Sequence, residues 1–262
     1  MLNLNIALEK VQKWALETGE IQKEYFKKES LKIDIKSTGV DLVTEVDKLS
    51  EKHILNYIKD HYPLHAILSE ESGKSDIESD YLWVVDPLDG TTNYAQGLPI
   101  FATSIALKYK NEALLGVVYA PIVDQLFVAS KGNGAYLNGE KISVSTKKDL
   151  NKSVIATGFP YDRAVNEDNN ANYFAHFVPK VRGLRRMGAA AYDLANVAAG
   201  SLDGYWEINL SPWDIAAGQL IIEEAGGDVL FLKEKRGISL IAGNKAICQK
   251  ILKEIEYVDN RL

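Results

Sequence analysis

The chain has 262 residues, 46% of them hydrophobic and 25% charged, with 30 basic side chains against 36 acidic ones and a formal net charge of −6. That length buries a sizeable core without staples, and the negative balance argues against a nucleic-acid surface, which needs a positive field. The single cysteine, Cys248, excludes an internal disulfide and suits a reducing cytoplasm; no stretch approaches the roughly 20 apolar residues of a membrane span, and the N-terminus carries charges where a signal sequence has an apolar core.

Leu4, Leu8, Val11, Trp14 and Ala15 recur at helical spacing with charges between them, which predicts an amphipathic helix over residues 3–28. Residues 36–41 read as a loop that Gly39 lets turn. A second stripe, Val46, Leu49, His53, Ile54, Tyr57 and Ile58, follows Thr44, and Asp47 three residues on completes a capping-box variant. From Ala66 the pattern changes. Residues 66–68 and 81–85 are short apolar runs suited to buried strands. Residues 100–109, 114–120 and 126–129 read as further strands, and Asn138-Gly139 marks a hairpin within residues 134–142.

The second part alternates. A strand is predicted at 154–156, helices at 166–177 and 189–199, and a strand at 204–208. Pro212 suits a first helical turn, and the helix it opens runs to Ala225 before Gly226-Gly227. A last helix covers residues 245–256, with Cys248 on its apolar face. Helices followed by a mostly antiparallel sheet, then an alternating half, give an α/β (α+β) class. The expected division is residues 1–148 and residues 149–262, fused into one compact unit.

The most informative segment is Trp83-Val-Val-Asp86-Pro87-Leu88-Asp89-Gly90-Thr91-Thr92-Asn93. A buried strand ends in an aspartate, proline and glycine turn the chain, and a second aspartate precedes threonines that open a helix. Asp86 and Asp89 then point into one cleft, where bare carboxylates repel until a divalent cation joins them; hard oxygen ligands suit Mg²⁺. A lone pair at this spacing is also the pattern of a polar turn with Asp89 as a helix cap. Three further carboxylates weigh against that: Glu70 directly after the run 66–68, Asp214 at a helix start, and Asp47. Glu71, Glu45 and Asp41 read as caps or solvated charges. The four histidines, His53, His61, His65 and His176, lie outside every motif and read as surface or packing residues.

These residues carry a resemblance. The run from Trp83 to Asn93, Leu68-Ser-Glu-Glu-Ser72, Asp41-Leu-Val-Thr-Glu-Val-Asp47, Gly188-Ala-Ala-Ala-Tyr-Asp193 and Trp213-Asp214-Ile-Ala-Ala-Gly218 resemble the inositol monophosphatase family. That group includes fructose-1,6-bisphosphatases and the 3′-phosphoadenosine phosphatases. The matches come in family order and span nearly the whole chain. The resemblance implies a layered αβαβα sandwich and two or three Mg²⁺ ions per site. Glu70, Asp86 and the Leu88 carbonyl would hold one metal; Asp86, Asp89 and Asp214 a second; Glu70 with waters a weaker third. A shared Asp86 suits two-metal chemistry, with ions roughly 3.5–4 Å apart. Thr91 matches the residue that holds the attacking water, and Asp47 the carboxylate that orients it; Glu70 completes the catalytic set.

The Gly90 and Thr91 amides, at a helix N-terminus, suit a phosphate oxygen, while by the same resemblance Glu207 and the Gly188 to Ala190 segment would meet sugar hydroxyls. Lys36 matches a lysine beside the metals. The expected reaction is hydrolysis of myo-inositol 1-phosphate or a related small sugar phosphate. The alternatives are fructose 1,6-bisphosphate, NADP or nucleotide phosphates, or a protein-binding regulatory module with residual activity. Polyphosphorylated ligands need a second anion pocket, for which Arg163, Arg182, Arg185 and Arg186 are candidates. Arg185 and Arg186 alternatively belong to the interface of the homodimer usual in the family. A cytoplasmic protein is expected, with no membrane or nucleic-acid partner.

Overall fold

The computed structural model describes residues 2–28, 31–35 and 42–261. Lys36 and Asp41, both singled out in the sequence, lie outside the described residues. Asn3 opens helix α1 (Leu4–Tyr25) by accepting the Ile6 N–H at 3.2 Å. A short antiparallel pair, β1 (Ile33–Ile35) and β2 (Leu42–Thr44), leads into α2 (Glu45–His61), and the predicted capping box of Thr44 and Asp47 is present at its start. Then follow β3 (Ala66–Ser69), β4 (Gly73–Lys74), β5 (Tyr81–Asp89), a one-turn helix α3 (Thr91–Ala95), β6 (Ala102–Tyr109), β7 (Glu112–Ala120), β8 (Gln125–Ser130), β9 (Ala135–Leu137) and β10 (Glu140–Lys141).

The second half runs β11 (Val154–Thr157), α4 (Ala171–Phe177), β12 (Gly183–Arg185), α5 (Ala190–Ala198), β13 (Gly204–Leu210), α6 (Pro212–Glu224), β14 (Asp228–Phe231), β15 (Ile238–Gly243) and α7 (Lys245–Asp259). Two main sheets result. One has eight strands in the order β10-β9-β8-β7-β6-β5-β3-β4, the other five in the order β12-β11-β13-β15-β14. The first is antiparallel except for β3 against β5; in the second, β11 is parallel to both neighbours.

Side chains alternate across each strand, so each sheet has two apolar faces. Trp83, Val85, Ile105 and Val117 pack under α1 and α2, with Trp14, Ile54 and Ile58. Val84, Ala106 and Val118 face the other way, onto Leu194 of α5 and Ile221 of α6. The same two helices pack on Tyr205, Leu240 and Ala242 of the five-stranded sheet. Its far face, with Ile155, Trp206 and Ile241, is closed by α4 and α7 and takes in Cys248. The layers read αβαβα, as expected. Close contact sets the middle layer: a Cβ on Gly116 of β7 would stand 2.9 Å from the Ala217 backbone, so α6 lies flush on the sheet.

Several expectations are corrected. The strand pair β1–β2 and strands β12, β14 and β15 were not anticipated. The predicted helix at 166–177 begins only at Ala171. Asn170 adopts a left-handed conformation, φ 73°, and its amide is buried, donating to Thr157 Oγ1 at 2.7 Å and Gly158 O at 2.5 Å. The eight-stranded sheet ends at Lys141 and the five-stranded sheet begins at Val154, yet α5 and α6 serve both cores.

Candidate active site

Residues 86 and 89, three apart on a regular strand, would face opposite sides of the sheet. Strand β5 avoids this with a bulge: Asp86 pairs with Ser104 but Asp89 with Ala102, so β5 has one residue more than β6 between them. The bulge turns both carboxylates to one side. It is pinned at Pro87, whose carbonyl accepts from the buried Gln22 Nε2 at 2.8 Å and Thr103 Oγ1 at 3.2 Å. Strand β3 runs parallel to β5 and stops beside it, and the Glu70 N–H donates to Val85 O at 3.1 Å. Glu70 therefore stands next to Asp86.

Gly90 then takes φ 92°, and a Cβ there would sit 2.9 Å from Ile100 O, so only glycine fits this corner. Helix α3 follows, tied to the start of α5 by Asn93 Nδ2, which donates to Ile100 O and Met187 O at 2.7 Å each. Being one turn long, α3 offers the Gly90 and Thr91 amides as donors with little helix dipole behind them.

Asp47 joins two elements. Its Oδ2 accepts from Thr44 N at 2.8 Å and Thr44 Oγ1 at 2.5 Å, which caps α2; its Oδ1 accepts the Thr91 hydroxyl at 2.8 Å. The cap and the link to Thr91 are one arrangement. Thr91 Oγ1 also lies 3.1 Å from Leu88 O, the carbonyl expected among the metal ligands.

Asp214 arrives from the far side as the third residue of α6, its Oδ2 accepting from Ser211 N at 2.7 Å. Asp89 accepts from Ala190 N at 2.9 Å and Tyr192 N at 3.1 Å, capping α5. The Ala190 amide expected to meet substrate is thus engaged by Asp89. Among the described residues no three Asp, Glu, His or Cys side chains already form a metal-holding group. The carboxylate oxygens are turned to these amides instead, and each keeps a further lone pair.

The cleft has two lobes. One, of about 220 Å³, is lined by Glu70, Asp86, Leu88, Thr91 and Trp213. The other, of about 360 Å³, is lined by Gly158, Phe159, Arg186, Gly188, Asp193 and Glu207 among others. Asp89, Gly90, Tyr161, Ser211 and Asp214 line both. Among the described residues no histidine lines either lobe.

The electrostatics suit a divalent cation. Burial pushes Asp86 well above the usual carboxylate range, and the charges of Glu70, Asp89 and Asp214 push it further. Asp89 rises to about 7 through burial, although the Tyr192 and Ala190 amides hold it back. Asp214 is raised by burial, opposed by the Ser211 amide and reinforced by Asp89 and Glu70. Glu207 rises to about 7 through burial, opposed by its hydrogen bond from Tyr205 and by Arg186. Arg186 is the one cationic side chain on the walls among the described residues. Oxygen-only donors this crowded and dry suit Mg²⁺.

Arg185 does not line the cleft. It is exposed at the end of β12 and donates to its neighbour's carbonyl, Leu184 O, at 3.0 Å. Neither Arg163 nor Arg182 lines it, which leaves Arg186 alone of the four arginines. Gly188 lines the larger lobe at φ 80°. Asp193, the end of a quoted motif, was not assigned a role in the sequence; a carboxylate one turn into a helix carries no signal of its own there. Residues Phe159 to Tyr161, in a segment that resembles bacterial members of the family, were not assigned to the site either, and they form part of its wall. That segment is fixed by Asp162, which pairs with both Arg236 guanidinium nitrogens at 2.6 and 2.8 Å.

A layered αβαβα sandwich whose strand-end acids repel until a cation joins them defines a metal-dependent phosphatase of the inositol monophosphatase superfamily. The sequence pattern of the inositol monophosphatase family matches residues 6–259. The Nus factor SuhB of Pasteurella multocida is 42% identical over 253 residues, covering 96% of this chain and 93% of that relative. The inositol-1-monophosphatase of a Synechocystis species is 48% identical over 198 residues, 75% of this chain and 69% of that one. The solved inositol monophosphatase of Anabaena (Nostoc) superposes with a TM-score of 0.87 at 40% identity, covering 98% of this chain and 97% of the other. The chain belongs to the inositol monophosphatase family.

Proposed function

We propose that the protein hydrolyses the phosphate monoester of myo-inositol 1-phosphate or a related sugar phosphate with Mg²⁺ as cofactor. The observation that carries this is the Thr91 hydroxyl, held by Asp47 at 2.8 Å, on the wall of a lobe lined by Glu70, Asp86, Asp89 and Asp214. Those four carboxylates and the Leu88 carbonyl would hold the metal. Bound divalent cations neutralise a phosphate dianion and lower the pKa of a coordinated water. The chain's own residues do the rest. Asp47 Oδ1 takes the Thr91 proton's hydrogen bond, so Thr91 Oγ1 presents lone pairs to orient the attacking water. The Gly90 and Thr91 amides face a phosphate oxygen, and Glu207 accepts from a hydroxyl of the leaving group. A phosphate-release screen over inositol 1-phosphate, fructose 1,6-bisphosphate, NADP and nucleotide phosphates tests the reading. Mg²⁺-dependent release fastest from inositol 1-phosphate is expected; preference for a bisphosphate or NADP overturns the substrate assignment.

Gly158 supports the role of Glu207. A Cβ on Gly158 would fall 2.1 Å from Glu207 Oε1, so the carboxylate rests against bare backbone. Gly158→Ala is expected to keep the fold, because the clash meets the movable end of a side chain, and to displace that end. The KM for inositol 1-phosphate should rise by about tenfold. An unchanged KM would remove Glu207's seat from the account.

The name of the Pasteurella relative favours a second reading, a protein-binding role beside catalysis. A pull-down at physiological salt with and without Mg²⁺ tests it: a specific protein partner supports it, and none counts against it. We also propose the homodimer that the family resemblance implies and the cytoplasmic location that the single cysteine suits; sedimentation and fractionation measure them.

A further inference from the structure

Three of the oxygen donors proposed for the cation, Asp86, the Leu88 carbonyl and Asp89, sit around one residue, Pro87, inside the bulge of β5. A proline brings no N–H, so its carbonyl is the one main-chain group by which the bulge is held there. That carbonyl is taken from the α1 side of the sheet. Gln22 Nε2 donates to it at 2.8 Å and to Thr103 Oγ1 at 2.9 Å, and the Thr103 hydroxyl donates to it at 3.2 Å. The three groups close a ring in which every proton has an acceptor. Leu88, the next residue, offers its own carbonyl on the cleft side, where Thr91 Oγ1 lies 3.1 Å away.

Packing alone does not account for a glutamine at this place. Gln22 and Thr103 have no exposed surface, and Gln22 lies on the buried face of the last turn of α1. Gly19, one turn earlier, lets the helix come this close, since a Cβ there would clash with the Tyr119 ring. The amide has one orientation, because the Pro87 carbonyl only accepts; that leaves Gln22 Oε1 without a hydrogen-bond partner among the described residues. A buried unpaired acceptor costs stability, and a methionine would fill similar space without one. The main-chain carbonyl of Gln22 accepts the Tyr94 hydroxyl of α3 at 2.7 Å, so one turn of α1 holds both the bulge and the helix that Thr91 opens.

We propose that Gln22 is a positioning residue of the metal centre: by holding the Pro87 carbonyl it fixes the spacing of Asp86, Leu88 O and Asp89 and so sets the affinity of the cleft for its divalent cation. The inference rests on the metal-dependent phosphatase reading. Gln22 lines neither lobe and acts from behind the sheet. Mg²⁺ demands near-ideal octahedral geometry, so donors that drift with a loosened bulge bind it less well. Groups that orient a ligand from behind ordinarily govern metal affinity by about 10- to 100-fold.

The test is Gln22→Met in the full chain, read first by the rise of Tm with added Mg²⁺ in the absence of substrate. The Mg²⁺ concentration that gives a set rise is expected to increase about tenfold or more. The Tm in chelator should be equal or higher, because the unpaired Oε1 is gone and Pro87 O keeps the Thr103 hydroxyl. With inositol 1-phosphate, kcat should return to near the unmodified value in excess Mg²⁺, with KM unchanged. An unchanged Mg²⁺ dependence of Tm assigns Gln22 to packing and overturns the inference; a kcat that stays depressed in excess Mg²⁺ overturns it as well. Thr103 supplies a second pair of variants that leaves Gln22 in place. Thr103→Val removes the other donor to Pro87 O and should raise the Mg²⁺ requirement, whereas Thr103→Ser, which keeps the hydroxyl, should not; equal requirements in the two overturn the inference. If Mg²⁺ does not raise the Tm of the unmodified protein, the cation site itself falls; a rise that Gln22→Met leaves in place removes the role of Gln22 alone.

Discussion

Thr91→Ala is expected to lower kcat by about 10²–10⁴ while leaving Mg²⁺ affinity nearly intact, because Thr91 positions a proton and is not among the proposed ligands. Asp47→Asn should match it, for a reason the geometry supplies. Asp47 accepts on both sides at once, from Thr44 through Oδ2 and from Thr91 through Oδ1. Asparagine has one acceptor oxygen. If that oxygen keeps the Thr44 contacts, its NH₂ faces Thr91 and turns the hydroxyl proton away, so Thr91 would donate to the water instead of accepting from it. Because Asp47 also caps α2, the same change should cost about 0.5–2 kcal/mol of stability, a loss Thr91→Ala need not share. The double variant should be little slower than either single, since the pair acts as a unit. Measuring kcat and Tm for the two singles and the double checks this. Near-normal turnover in either single would show that Asp47 and Thr91 are helix-start residues only.

Asp47 both caps α2 and accepts from Thr91, and the two contacts differ in how far local sequence reaches them. The capping boxes at Thr44 and Ser211 are short-range patterns, so Asp47 and Asp214 were legible as helix-start acids. The cluster at Asp86 and Asp89 was legible because a buried run, a proline and a glycine sit within one segment. The bulge that turns both to one side was not, since it exists only in the register against β6. Arg185 and Arg186 are adjacent in sequence, and only the end of β12 decides which reaches the cleft. Asn170 reads as one more helical residue until its amide is seen bonding Thr157 and Gly158, contacts 13 and 12 residues away. Strand β15 lies between β13 and β14, and β14 pairs with β15 alone, so the placing of both depends on contacts with β13, on the far side of α6 in the chain.

Stripping the divalent cations is expected to abolish phosphate release and to make stability fall as pH rises from about 5 to 8. Asp86, Asp89, Asp193, Asp214 and Glu207 all have folded pKa values above their ordinary ones, with burial the leading cause in each. A carboxylate raised in this way keeps its proton better folded than unfolded, so the folded state binds more protons once the unfolded acid begins to ionise. Its stabilisation is full below the ordinary values of 3.8 and 4.5, and it is lost as pH climbs through the folded value, about 7 for Asp89 and Glu207. For Asp89 alone the loss is on the order of a few kcal/mol. Asp149, Asp162 and Glu254 are shifted downward, so their effect falls below that window. His65, lowered by burial, works in the opposite direction near its ordinary 6.5, but it is one half-buried ring against five acids. Mg²⁺ should flatten the slope, since an ion that binds only the folded state adds about 2.7 kcal/mol at a hundred times its Kd. Asp86→Asn should behave oppositely to an ordinary loss-of-function change: no phosphate release, yet a higher Tm in chelator at pH 8, because one charge leaves a crowded buried set. Thermal unfolding across this pH range, in chelator and in Mg²⁺, reads all three effects. A metal-free Tm that is flat or rises with pH would mean that the cleft carboxylates are already neutralised within the chain, and the case for a cation there would lose its electrostatic basis.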